Sequence, residues 1–508
     1  MAVNDRARLR AWLVRRLDQL VAWSAVDAIF LFAATAILLA AFSIRLYILN
    51  DNFSQGWDEG AYLISARLIA AGYQPFSQIY MPQLPIFLDN LAWFFGLVGD
   101  SLWLGRLLIA FYSLLGLAAC ALAARLLSNR MGALATLFIL TINPGYLTYS
   151  RAVYLEVPAI ALSMLAVVCV LFFTRTGARR WLVACGLLWG ASVLIKPFLL
   201  GVGLALVLYP ALYRWQVLST SRFPVRARAM VADWFLVGLA SLLPVIFFLA
   251  TIDLPAFYFQ FIVVNQRLIP EGVLDGLGRM VGFLGRDWGM LALAVFAAVL
   301  GLRKPGVSST FPLALGTLGT LAFVLSVPHY NHHDVVLIPL LATLAGVGVA
   351  QLIDLVGTRG AGAFQTAALA AGTAALLVYI VNAPRIGLFD YRLLQIPDQP
   401  RADACVQLIA QQTRPNDFII SDQPMLVYQA GRLIPPAVAI SGGADIDAGG
   451  VTTQALVDSA SQYQPPLIII SNRYRKLDAW TSFVQTRYRR VTTCNDSASD
   501  VIELYQAQ

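Results

Sequence analysis

Asp58 and Glu59 stand side by side in QGWDEGAYLISARLIAAG, residues 55–72, just past the first apolar run of a chain that otherwise avoids charge. Read as a helix from residue 58, Asp58, Tyr62 and Ser65 share one face and Ala61, Ile64 and Leu68 another. A carboxylate on such a polar stripe can take a proton from a hydroxyl. The competing reading is an N-terminal cap, since Asp at a helix start accepts backbone N–H bonds and suits the dipole. A cap explains one acid well and the second only weakly. Glu156, in SRAVYLEVPAI just before Pro158, sets a further carboxylate at the same outer level, with Arg151 close by; a first-turn helix acid is the equal alternative there. All three histidines, His329, His332 and His333, fall in VPHYNHHD, residues 327–334. Clustered imidazoles suit either a divalent metal or a phosphate or sugar. The latter is preferred, because a metal needs more ligands. Lys196 in VLIKPFLL interrupts an apolar hairpin, where a cation is costly and usually has a partner or a task, unless it snorkels to the surface. Arg267 in VVNQRLIPEG is one more candidate anion partner.

These residues need elements to hold them. Of the 508 residues, 59% are hydrophobic and only 13% charged, against about 25% charged in soluble domains. Apolar runs of about twenty residues recur, the length of a membrane-crossing helix. A polytopic α-helical membrane protein is expected, with about eleven spans near 27–50, 101–124, 131–149, 157–174, 181–195, 197–213, 232–251, 289–302, 311–327, 335–353 and 364–383. Residues 84–99 are short and carry Asp89, so they read as an interfacial or re-entrant helix. The basic, amphipathic segment 1–26 reads as a helix on the inner surface. Arg125, Arg130, Arg175, Arg179, Arg180, Arg214, Arg222, Arg226, Arg228, Arg303, Lys304 and Arg359 fall on inner links, which places the N terminus inside. The long links 51–100 and 252–288 are then outside, in a multi-pass protein of the plasma membrane. The transmembrane domain is expected over 27–388 and an outer α/β domain over 389–508, where FIISD, PPLIII and VIELYQ read as strands between helices.

The net charge of +8 does not point to nucleic acid, because the arginines mark short links between apolar runs. No P-loop, dinucleotide-binding glycine loop or zinc-protease helix occurs. Asn52-Phe53-Ser54 fits a glycosylation acceptor, a pattern common by chance. Cys120, Cys169 and Cys185 fall in apolar runs; Cys405 and Cys494, in the polar region, can pair if that region is outside.

WDEGAYLISARLIAAG, MPQLPIFLDNLAWFFGLVG and LGRLLIAFYSLLG, in that order after a first span, resemble glycosyltransferase family 39. This family holds the protein O-mannosyltransferases and the bacterial aminoarabinose transferases, with the GT-C fold. SRAVYLEVPAI, LIKPF and HHDVVLIPLLA extend the resemblance over most of residues 25–385. The resemblance implies inverting transfer of a sugar from a polyprenyl-phosphate donor to an outer-face glycan, lipid or protein acceptor. It makes Asp58 the general base and gives Glu156 a place in the site, with Glu59 beside them. Many bacterial relatives carry Lys or Arg where this chain has Met81. Phosphate recognition must then come from His332, His333, Lys196 or Arg267, with Tyr62, Arg151 and His329 also around the substrate. A lipid or glycan transporter and an inactive assembly subunit are the alternatives. The ionisable groups gather in outer links rather than at mid-membrane, which favours an enzyme.

Overall fold

A computed structural model describes residues 25–50, 57–268, 272–303, 306, 308–326, 330, 332–357, 362–394, 400–497 and 500–508. The segment 1–24, the Asn52-Phe53-Ser54 pattern, His329, Lys304 and Arg359 lie outside the described residues.

The first half of the chain forms α1 (Ala25–Leu46), α2 (Trp57–Ala70), α3 (Ile86–Val98), α4 (Leu102–Leu127), α5 (Arg130–Ile142), α6 (Pro144–Tyr149), α7 (Glu156–Thr176), α8 (Arg180–Ile195), α9 (Gly203–Val217) and α10 (Phe223–Thr251). Then come a π-helical stretch, Tyr258–Val263, and α11 (Val273–Leu284), α12 (Trp288–Arg303), α13 (Phe311–Leu325), α14 (Leu337–Gly357) and α15 (Ala363–Leu393). Each of the eleven expected spans coincides with an apolar helix, and eight described helices are long and apolar enough to cross a membrane. The run 131–149 is broken rather than continuous. Asn143 ends α5 and caps α6 by accepting from the Tyr146 N–H, while Pro144 takes the first helical position, where its missing N–H costs nothing. α3 has 13 residues, too few for a bilayer core of about 30 Å. α15 runs unbroken from Ala363 to Leu393.

α7 is the hub. Nearly its whole length is buried, against α4 on one side and α8 on the other, and α8 in turn packs on α10. Gly186 and Gly190 allow that last contact, since a Cβ there would lie 2.4 and 2.3 Å from the Val237 and Ser241 carbonyl oxygens. Small residues one turn apart let membrane helices approach backbone to backbone.

The C-terminal region holds α16 (Pro400–Gln412), β1 (Ile420–Ser421), α17 (Pro424–Gln429), α18 (Gly443–Asp447), α19 (Thr453–Tyr463), β2 (Leu467–Ile470), α20 (Asn472–Arg475), α21 (Asp478–Arg487), β3 (Tyr488–Ser497) and β4 (Asp500–Ala507). The sheet order is β1-β2-β4-β3, with β1 and β2 parallel and the other pairs antiparallel. The three expected strands are present. The fourth, β3, has Arg489 and Arg490 in place of an apolar alternation, as suits an exposed edge. Cys405 and Cys494 form a disulfide between α16 and β3.

Candidate functional site

Asp58 lies in the first turn of α2, its side chain 27% exposed. Its Oδ2 is 3.7 Å from His332 Nδ1, and His332 Nε2 is 3.9 Å from Glu156 Oε1. Glu156 opens α7 and is fully buried; Lys196, after the last turn of α8, reaches its Oε1 at 2.7 Å. Four stretches far apart in sequence thus build one series of acidic and basic side chains, Asp58–His332–Glu156–Lys196. A lone buried carboxylate or ammonium would be prohibitive, so the pairing is what lets both stay in the membrane domain.

Aromatic rings frame this series. Tyr149 and Tyr154 meet edge to face with centroids 4.8 Å apart, and Tyr154 lies 5.5 Å from the His332 ring. Tyr330 stacks on His332, also at 5.5 Å, and Phe198 packs 4.7 Å from His333. Burial, then Asp58, moves the Tyr154 phenol upward, so it stays protonated near neutral pH. Tyr62 is buried and donates to Gln83 Oε1 at 3.0 Å, within electrostatic reach of Asp58 and Glu156.

Several expected site residues sit elsewhere. Glu59 is fully buried; Arg106 grips it through Nε to Oε1 and Nη2 to Oε2, both at 2.8 Å, and the Val153 N–H donates to Oε1 at 2.8 Å. Both oxygens are engaged by Arg106 and the Val153 N–H, contacts that tie α2 to α4 and to the link before α7. Arg106 also donates to the Leu49 carbonyl, 2.8 Å away. Arg151 is buried and donates to the Arg45 and Tyr47 carbonyls at the end of α1. Arg267 donates to the Ala448 carbonyl at 3.2 Å, at the joint with the C-terminal region. Met81 is buried, its N–H donating to Gln260 Oε1 at 2.8 Å. Arg106, Gln83, Tyr149, Tyr154 and Tyr330 were not foreseen. Only Arg106 carried a signal, a charge inside an apolar span.

Glu156, His332 and His333 each offer a metal-ligand atom, all within 4.8 Å of one another. A cation there competes with Lys196, which already holds Glu156.

Residues 84–248 match the family model described as dolichyl-phosphate-mannose-protein mannosyltransferase. The chain carries a glycosyltransferase family 39 domain. The family 39 match includes Glu156, Lys196 and Arg106; Asp58 and the histidines join it through the fold. The structure is similar to ArnT from Cupriavidus metallidurans bound to undecaprenyl phosphate, at TM-score 0.63 and 18% identity, covering 95% of this chain and 98% of that one. It is also similar to an Archaeoglobus fulgidus oligosaccharyltransferase in the apo form, at TM-score 0.51 and 12% identity over 92% and 76% of the two chains. Arabinofuranosyltransferase AftD from Mycobacteria gives TM-score 0.51 and 13% identity over 95% of this chain and 40% of that one. These likenesses establish the GT-C fold of membrane enzymes. No curated protein matches in sequence.

Proposed function

We propose that the protein is a membrane glycosyltransferase that moves a sugar from a polyprenyl-phosphate carrier to an outer-face acceptor, with inversion and with Asp58 as general base. The carrying observation is the Asp58–His332–Glu156–Lys196 series, which links a partly exposed carboxylate through His332 to the buried Glu156–Lys196 ion pair. The family 39 match and the GT-C fold support a transferase. The undecaprenyl phosphate bound to ArnT supports a carrier of that class.

In this reading Asp58 takes the proton of the acceptor hydroxyl as its oxygen bonds to the anomeric carbon. On the opposite side the bond from that carbon to phosphate oxygen breaks. Its electron pair stays on the phosphate, which leaves as polyprenyl phosphate. Base catalysis of this kind is worth about 10²–10⁴ in rate. Stabilising the leaving phosphate needs fixed donors in a site shielded from water. Lys196 and the His332 and His333 rings supply them, taking the place of the missing cation at Met81. Tyr154 adds a protonated hydroxyl. Glu156 holds Lys196, Glu59 with Arg106 holds α2, and the outer links are extracytoplasmic.

The test is to incubate purified protein with radiolabelled undecaprenyl-phosphate hexoses and pentoses and an envelope extract, then determine the anomeric configuration of the product. Inverted product is expected. Retained configuration, or no transfer with any donor, would refute this reading.

A further inference from the structure

The outer domain grips the helix that carries Asp58. Trp57 Nε1 donates to the Asp422 carbonyl at 3.0 Å. One turn on, Gly60 meets the start of α17 so closely that a Cβ would lie 2.4 Å from the Met425 nitrogen. At the far end of α2, Arg67 donates to the Tyr428 and Arg432 carbonyls, both at 3.1 Å. Tyr80, in the link after α2, donates through its hydroxyl to Asp445 Oδ1 at 3.3 Å.

Two charges of that domain are left without an opposite charge in contact among the described residues. The Arg473 guanidinium donates to the Asp422 carbonyl at 3.3 Å and lies 4.9 Å from the Trp57 ring centre. The Asp422 carboxylate cannot neutralise it by direct contact, being taken up by the Ser471, Arg473 and Tyr474 N–H groups and the Ser471 hydroxyl. Asp445 receives the Tyr80 hydroxyl and no cation. Tyr330 joins the two charges to the Asp58 side. Its ring is 46% exposed and stacked on His332, and its hydroxyl feels Asp58, Asp445 and Arg473 together.

From this geometry we infer that the outer domain forms the acceptor subsite, with Arg473 and Asp445 binding an anionic, hydroxyl-bearing acceptor. The inference rests on the transferase reading. An inverting displacement puts the leaving phosphate and the acceptor on opposite faces of the sugar, and the base beside the acceptor. Lys196 and Glu156 lie on the membrane-domain side of His332. Arg473 and Asp445 come from the outer domain, around Trp57 and Tyr80. The acceptor therefore belongs with the second pair. An uncompensated guanidinium presents a planar fork suited to a phosphate or carboxylate. The Asp445 carboxylate can accept from sugar hydroxyls, and the flat Tyr330 ring offers a face for the sugar. The anion's source, lipid headgroup or free glycan, is left for the assay to decide.

The experiment uses full-length protein, a saturating radiolabelled undecaprenyl-phosphate sugar, and envelope extract split by anion exchange and by solvent partition. Transfer is expected into an anion-binding fraction; recovery of label in the solvent or the aqueous phase tells lipid from free glycan. Arg473→Gln should raise the acceptor KM by about tenfold or more, as for loss of a charge-assisted hydrogen bond. Donor KM should stay within about twofold, and Arg473→Lys should recover part of the loss. Asp445→Asn should act on acceptor KM in the same sense, and Lys196→Gln on donor KM instead. Wild-type transfer confined to neutral acceptors, or an Arg473→Gln acceptor KM equal to wild type, would overturn the inference and leave the transferase reading standing. No transfer by the wild-type protein would overturn both.

Discussion

Gly60→Ala tests whether the grip of the outer domain on α2 sets the position of Asp58. A Cβ at Gly60 would lie 2.4 Å from Met425 N, 2.7 Å from its Cα and 2.9 Å from its Cβ. Ordinary contact begins near 3.4 Å, so the shortest of these is about 1 Å too close. Two of the three atoms are backbone at the start of α17, and none is the far end of a flexible side chain. The helix and the outer domain must therefore separate by about 1 Å, two residues from Asp58. Whichever moves, Asp58 and the outer-domain groups lose register. A misplacement of that size costs about 10² in rate, or about 2.7 kcal/mol of barrier. Overpacking itself costs about 1–3 kcal/mol of stability, so a thermal melt in detergent should still show a folded protein. The assay is steady-state transfer at saturating donor, with donor KM measured separately. The expectation is a kcat lowered about 100-fold and donor KM little changed, because Lys196 and Glu156 are untouched. Gly96→Ala is the control, since a Cβ there meets nothing within 4 Å. A Gly60→Ala enzyme with wild-type kcat would refute the reasoning.

Three further outcomes are expected. Lys196→Met leaves Glu156 buried without its partner and should cost about 3–5 kcal/mol, whereas Lys196→Met with Glu156→Gln should restore the melting temperature without restoring donor binding; a single variant that melts like wild type would count against the pair. Dialysis against EDTA should leave the transfer rate unchanged and added Zn²⁺ should inhibit, because a cation at Glu156, His332 and His333 has to displace Lys196; activity lost to EDTA and regained with metal would reverse this. Burial raises the Asp445 carboxyl from 3.8 to about 7, with Asp58 adding to the shift and the Tyr80 hydroxyl opposing it; Tyr330, Arg473 and, through the Ala448 carbonyl, Arg267 are the other groups around it. Since the folded form favours the proton, the docked domain should lose stability as pH rises from 3.8 to about 7. Acceptor KM should fall as pH passes about 7, when the Asp445 carboxylate forms and can accept from the acceptor's hydroxyls, a step that Asp445→Asn removes.

The membrane architecture was legible because span-length apolar runs have few other fates, and the strands FIISD, PPLIII and VIELYQ each became part of the sheet. Asp58, Glu156, Lys196, His332 and His333 could be picked out because a charge or an imidazole cluster beside an apolar run is costly without a role. What could not be read was what holds the second of the two adjacent acids. Glu59 and Asp58 differ by one helical step, and the difference is decided by Arg106, which lies 47 residues away in sequence. Arg151 and Arg267 were candidates near the substrate; that each donates to backbone carbonyls could not be read without the fold. Asp445 and Arg473 had no signal at all. Their loops carry no motif, and only the packing of α17 on α2 brings them toward Asp58.

The central claim is that Asp58 is the base of a lipid-fed sugar transfer. Asp58→Asn keeps the shape and hydrogen bonding of the side chain and removes its basicity. Single-turnover transfer from a radiolabelled undecaprenyl-phosphate sugar should fall by about 10²–10⁴ in this variant, with donor affinity within about twofold of wild type. Transfer by Asp58→Asn at the wild-type rate would contradict the account.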